Sequence, residues 1–355
     1  MLAIGAFALV LNLIEKHGLV DEQFGDTGDW GEDGAQYLLI GDNIYVTDDD
    51  IDAYLIAGTD DMKVDEEKGY SGEMADFLTL LIIDDTTKKY GFYQIDRNSI
   101  TDVIVLDKDG NEAGTAKEQI TIAHWYGTNA EQRNKNTANT VSKFFGDLRV
   151  NGYYVMNMAD IGTVNNAIGG VQIDFDEDLT EIDPAFTKGA SVLLDDKQAE
   201  KYVRARQGVG TGSNVERMGR QRHYMEAAYS RVLNQLRENP EYISDLHAQL
   251  EGVIDSDLQD KDISTISNRI INYESADIIT FDGEKKYGET LGDGKTYEEF
   301  YVDPESMLEG LRKVMNLELD NSDDEEEVTE EEEDNDSDEY VVDAEDFEEL
   351  TDEDM

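Results

Sequence analysis

From residue 37 to residue 106 the chain alternates short apolar runs with polar breaks. Tyr37 to Val46 and Asp52 to Ala57 read as strands. Phe77-Leu-Thr-Leu-Leu-Ile-Ile83 is apolar almost without interruption, which suits a central strand buried on both faces. Lys89 to Ile95 and Thr101 to Leu106 continue the series, and Asp107-Lys-Asp-Gly110 reads as a turn. The spacing then becomes helical over Gln119 to Tyr126, Asn134 to Phe145 and Asn157 to Ala167. A break at Ile168-Gly169-Gly170-Val171 leads into a strand ending at Phe175, and a long helix is predicted from about Glu216 to Asn239. Weaker alternation continues to Leu319, and no internal repeat is visible. The pattern predicts an α/β (α+β) fold: a single extended, mixed sheet flanked by helices.

The two ends depart from this pattern. Met1 to Ile14 (MLAIGAFALVLNLI) runs 14 residues without a charge. A spanning helix needs ~20 apolar residues, and no basic segment precedes the run as a signal peptide requires. Residues 1–17 read as the outer part of a single N-terminal membrane anchor whose cytoplasmic start is absent from this chain; a buried helix is the other reading. Residues 18–36 form an acidic, Gly-rich linker, 37–319 the folded domain, and 320–355 an acidic tail. The stretch Asp323 to Asp334 repels itself and offers almost nothing to bury, so the tail is expected to be disordered.

Charge sharpens the picture. Among 355 residues, 83 Asp and Glu face 29 Lys and Arg, a formal charge of -54, of which 321–355 supplies 21 acids and no base. Such a field disfavours nucleic acid as a partner of the bulk surface. With 39% hydrophobic residues, 18 Tyr and 11 Phe, the chain still holds enough for a sizeable core. The absence of Cys excludes disulfides and thiolate chemistry. His17, His124, His223 and His247 show no metal-ligand spacing. A calcium loop starting at Asp107 is disfavoured by Glu112, which stands where the sharp turn needs Gly.

One stretch opposes the global charge. Lys201 to Tyr224 (KYVRARQGVGTGSNVERMGRQRHY) contains six basic residues and one acid, including Arg204, Arg206, Arg217, Arg220 and Arg222. Arg217, Arg220, Gln221 and Tyr224 share one helix face, and the Gly-rich connection 208–212 separates them from Arg204 and Arg206. The stretch reads as an Arg-lined mouth suited to phosphate oxygens, with surface ion pairing as the alternative. Asp60 follows a strand, Asp76 opens another, and Arg97 sits where a third ends. If those strands are neighbours, the carboxylates can share one Mg²⁺ together with substrate phosphates. His124, beside aromatics, reads as structural or as a residue that orients an acceptor.

Gly58-Thr59-Asp60, Ala75-Asp76-Phe77, Ile95-Asp96-Arg97-Asn98-Ser99, Ile168-Gly169-Gly170-Val171, Tyr202-Val203-Arg204-Ala205-Arg206 and Arg217-Met-Gly-Arg220-Gln221 occur in an order that resembles the LytR-CpsA-Psr family. The resemblance covers about Tyr54 to Ala228. It implies a membrane-anchored enzyme on the extracellular face, with an apolar cavity for a lipid tail expected beneath the strand Phe77 to Ile83, its catalytic domain being 37–319. Such an enzyme moves a glycopolymer from a polyprenyl pyrophosphate carrier to a peptidoglycan hydroxyl, with Mg²⁺. By the same resemblance, Arg97, Arg204, Arg206, Arg217 and Arg220 bind the pyrophosphate with Gln221 beside them, and Asp60 and Asp76 hold the metal or supply the base. Arg97, Asp76, Arg206 and Arg217 are the expected catalytic set. Three positions depart from the family pattern. Asn98 and Asn214 replace acids, and Met74-Ala75 stands where an Arg is usual. These amides keep open a second reading, a surface protein that binds polyprenyl phosphates or glycans without turning them over.

Overall fold

In the computed structural model, residues 35–47, 50–60, 73–206, 208–239, 242–290 and 294–321 are described. Strands β1 (Gln36–Ile40) and β2 (Asn43–Thr47) form a hairpin where the sequence suggests one strand. Gly41, at φ 64°, makes the turn between them. β3 (Ile51–Thr59), β4 (Ala75–Asp84) and β5 (Lys89–Ile95) follow as an antiparallel run. β6 (Ile100–Leu106) and β7 (Glu112–Gln119) pair only with each other, joined through the predicted turn at Asp107–Gly110. A 3-10 turn over Ile120–Trp125 leads to helix α1 (Ala130–Phe144). β8 (Gly152–Asn157) returns beside β3, parallel to it, and α2 (Ile161–Ala167) follows.

β9 (Val171–Asp174) and β10 (Ser191–Leu194) form a separate pair ahead of α3 (Asp196–Arg204) and the 25-residue α4 (Asn214–Glu238). Then come α5 (Tyr242–Leu250), β11 (Ile254–Ser256), α6 (Asp260–Asn272) and β12 (Glu274–Ile279). The hairpin β13 (Gly283–Gly288) and β14 (Tyr297–Val302), helix α7 (Pro304–Leu311) and β15 (Glu318–Leu319) complete the described chain.

The central sheet has the order β11-β8-β3-β4-β5-β12 and mixes parallel with antiparallel pairs, as the pattern predicts. Four smaller sheets accompany it among the described residues, so the strands do not all merge into one. The unbroken apolar run of β4 has a simple cause. Phe77, Leu81 and Ile83 point into a core shared with α2 to α6, while Leu78, Leu80 and Ile82 point into a core shared with α1 and α7. Each such side chain, fully buried, contributes ~1.5–3 kcal/mol of transfer free energy.

Helix ends follow local chemistry. Asn129 caps α1 by accepting from the Gln132 N–H, and Ser213 caps α4 by accepting from the Glu216 N–H. The predicted membrane anchor, most of the linker and nearly all of the acidic tail lie outside the described residues. Among the described residues no helix is long and apolar enough to cross a membrane.

Candidate active site

The strand register brings the candidate residues to one edge. β3 and β8 run parallel and β5 runs antiparallel to β4, so β3, β5 and β8 end at the edge where β4 begins. Asp60 follows β3, Asp76 is the second residue of β4, and Arg97 lies two residues past β5. Ligand sites in open α/β sheets favour such carboxyl edges. Helices α3 and α4 carry Arg204 and Arg217 to the same place.

Asp76 is bracketed. Arg97 donates to its Oδ1, and Arg217 donates to its Oδ2 at 3.2 Å. Arg204 reaches Asp60 at 2.9 Å and Glu200, one helical turn away, at 3.0 Å. Arg206 is exposed and donates through Nε to the Gly212 carbonyl at 3.1 Å, with no carboxylate paired to it among the described residues. Three guanidiniums thus meet two aspartates at this edge, and the charge of Arg206 acts on Arg217 beside them. Burial pulls Arg217 below the usual arginine range; Asp76 opposes the shift, and the charges of Arg97 and Arg206 add to it. The Nε atoms of Arg97 and Arg217 are buried without a hydrogen-bond partner. Cations crowded this way are stabilised by an incoming anion.

Arg220 and Gln221 are placed differently from Arg217. Arg220 donates to the Tyr202 and Ala205 carbonyls, and Gln221 donates to the Val203 carbonyl at 3.2 Å. Both are buried and serve the carbonyls at the end of α3, which have no partner within the helix. They fasten α3, with Arg204, to α4, with Arg217. Between the helices, Gly208, Gly210 and Gly212 all take left-handed φ values, 77°, 49° and 69°. There the Thr211 N–H and hydroxyl donate to the Glu216 carboxylate.

Two contributors were not singled out as functional by sequence reasoning. Asp96 accepts from the Asn98 N–H at 2.9 Å and from the Asn214 amide at 2.6 Å. Asn214 in turn accepts from Arg217 at 2.7 Å. Burial raises the Asp96 pKa, and the Asn98 N–H bond opposes the rise. Glu298 of β14 accepts from the Asn98 side chain at 3.2 Å and from Lys285 at 3.3 Å, which ties the outer hairpin to the Arg97 turn. Only a buried acid flanked by amides could have flagged Asp96, and burial is not visible in a sequence. His124 is buried, its Nδ1 is 3.0 Å from the Thr137 hydroxyl, and its Nε2 lies 3.7 Å from Glu73. Arg133 also pairs with Glu73, at 3.3 Å.

Two cavities flank α4. One, of about 450 Å³, is lined by Phe92, Met225, Tyr229 and Ile278 together with the charged Arg222, Glu226 and Asp277. The other, of about 750 Å³, lies between the acidic loop 174–181 and α4, with Arg220, Arg222 and His223 on the helix side. Neither touches the stretch Phe77–Ile83, under which a lipid cavity is expected; Phe77, Leu81 and Ile83 are packed in the core instead. Among the described residues no group of three or more His, Cys, Asp or Glu is placed to hold a metal.

The LytR_cpsA_psr family model matches residues 41–312, more than three quarters of the chain. The chain belongs to the LytR-CpsA-Psr family. That family is known for glycopolymer transferase activity, which ties this member to cell wall glycopolymer transfer in that general sense. Solved structures share its fold. TagV of B. subtilis aligns with a TM-score of 0.54 at 17% identity, over 74% of this chain and 95% of that one. TagT, also of B. subtilis, aligns in its complex with LIIa-WTA with a TM-score of 0.54 at 18% identity, over 75% of this chain and 89% of that one. A Streptococcus agalactiae protein gives 0.55 at 17% identity, over 74% of this chain and 86% of that one. No curated protein matches the chain in sequence.

Proposed function

We propose that this LytR-CpsA-Psr protein is a phosphotransferase that moves a glycopolymer from a polyprenyl pyrophosphate carrier to a peptidoglycan hydroxyl. The observation that carries the reading is the pairing of Arg97, Arg204 and Arg217 with Asp60 and Asp76 at the carboxyl edge of the sheet, with the charge of the exposed Arg206 acting on Arg217. Guanidiniums in excess of carboxylates suit the charge of a pyrophosphate. Arg220 and Gln221, assigned to the pyrophosphate by the family resemblance, contribute by holding α3 against α4.

The donor set fits Mg²⁺ that arrives with phosphates. Asp60 and Asp76 would hold it, since this ion takes one or two protein carboxylates and completes its shell with water and phosphate oxygens. When bound, the ion neutralises charge on the phosphates. The acceptor hydroxyl oxygen attacks the phosphorus that bears the glycan, the bond from that phosphorus to the bridging oxygen breaks, and polyprenyl phosphate leaves. Asp60 or Asp76 takes the hydroxyl proton. Arg206 and Arg217 stabilise the charge that builds on the bridging oxygen.

The half-apolar cavity that Phe92, Met225, Tyr229 and Ile278 share with Arg222, Glu226 and Asp277 offers a place for the carrier's tail, one strand away from the expected position. Residues 1–17 would anchor the protein in the membrane with its domain on the extracellular face, 18–36 would link the two, and 320–355 would remain a solvated tail. One observation favours the second reading, a binder without turnover: both Asp76 oxygens already accept from arginines, so neither is left unengaged to meet an acceptor hydroxyl. The two readings separate on incubation with a lipid-linked glycan and peptidoglycan. An enzyme releases polyprenyl phosphate and labels the peptidoglycan, and a binder does neither.

A further inference from the structure

We propose that Asp96 and Asn214 form a buried relay that fixes Arg217 at the anion site, so that both are positioning residues for the ligand Arg217 contacts. The inference rests on reading the arginine cluster as a pyrophosphate site. Asp96 follows β5 and Asn214 opens α4, 118 positions later in the chain. Asp96 is 7% exposed, Asn214 0% and Arg217 5%, so water supplies little to any of them.

The chemistry fixes the direction of the relay. A carboxylate only accepts hydrogen bonds and a guanidinium only donates them. An amide between the two must turn its NH₂ to Asp96 and its oxygen to Arg217, as the 2.6 Å and 2.7 Å contacts have it. An aspartate at 214 has no proton to give Asp96, and an apolar residue bridges neither side. Arg217 is thereby held from two directions, by Asp76 through Nη1 and by Asn214 through Nη2. Asp96 supplies a second counter-charge one amide away from the guanidinium. A guanidinium fixed beforehand loses little freedom when an anion arrives.

The test uses the full chain and inorganic pyrophosphate, with binding followed by calorimetry. Asp96→Ala and Asn214→Ala should each weaken binding about tenfold. In an Arg217→Ala background, Asp96→Ala should have less than about a twofold further effect, because it acts through Arg217. An effect below about twofold in the wild-type background, or an equal effect in both backgrounds, overturns the proposal. The double variant Asp96→Asn/Asn214→Asp exchanges amide and carboxylate and should bind within about threefold of wild type, whereas loss as deep as in the single variants counts against the relay. A second readout does not depend on pyrophosphate. The side-chain ¹⁵N signals of Arg217 should show restricted guanidinium rotation in the wild type that disappears in Asp96→Ala; unchanged signals overturn the relay. If wild type binds no pyrophosphate, the proposed function fails and these signals still decide the relay.

Discussion

Arg217 donates to Asp76 at 3.2 Å and thereby joins the first turns of α4 to the first residues of β4, 141 positions away in the chain. The contact is both structural and functional, because Asp76 also accepts from Arg97. Removing the carboxylate leaves Arg217 buried beside another cation. Asp76→Ala is expected to destabilise the fold by roughly 3 kcal/mol, as for other broken buried pairs. Denaturant midpoints measure this, and an unchanged midpoint contradicts the bracket.

Arg206 and Arg217 should separate stability from function. Arg206 is exposed and, among the described residues, bonded only to a carbonyl, so Arg206→Ala should change stability by less than about 0.5 kcal/mol. It should still lower glycopolymer transfer by about 100-fold if it stabilises the leaving oxygen. Arg217→Ala should lower both. Equal effects of the two variants on thermal unfolding would show that Arg206 is built into the fold.

The tail cavity is tested by filling it. Ile278→Trp places a large ring among Phe92, Met225 and Tyr229. Transfer from a long-chain polyprenyl donor should fall by about tenfold, with a short-chain donor little affected. Equal losses for both donors would place the tail elsewhere.

Asp257 gives a pH signature away from the site. Burial pushes its pKa up to about 6, although its Oδ1 accepts from the Tyr153 N–H at 2.9 Å, while Oδ2 is buried without a partner. A carboxyl raised in the folded state stabilises the fold below its unfolded pKa of about 4 and loses that contribution as pH rises through the folded value. Allowing for partial exposure, the loss between pH 4 and pH 6 is about 1–2 kcal/mol. Asp257→Asn should flatten that part of the stability curve and raise the melting temperature at pH 7. An unaltered curve removes Asp257 as its source.

The central strands and the long helix were legible because their burial leaves an apolar record: β4 reads as unbroken since both faces are covered. β7, with sequence EAGTAKEQ and mostly exposed, leaves no such record. The first turn of α1 is polar, so its start is marked only by the Asn129 cap. At the site, the arginines stand out against a chain of charge -54. The split in their roles does not, because nothing in the spacing tells Arg217, bonded to Asp76, from Arg220, bonded to carbonyls one helical turn further on. Asp96 and Asn214 gain meaning only when tertiary structure sets them 2.6 Å apart.

The most direct measurement is release of polyprenyl phosphate from a polyprenyl pyrophosphate-linked glycan by the full chain with Mg²⁺, in parallel with Arg206→Ala and Arg217→Ala. The account predicts release by wild type, loss of it in both variants, and loss on chelating the metal. No release by wild type, or undiminished release by both variants, contradicts it.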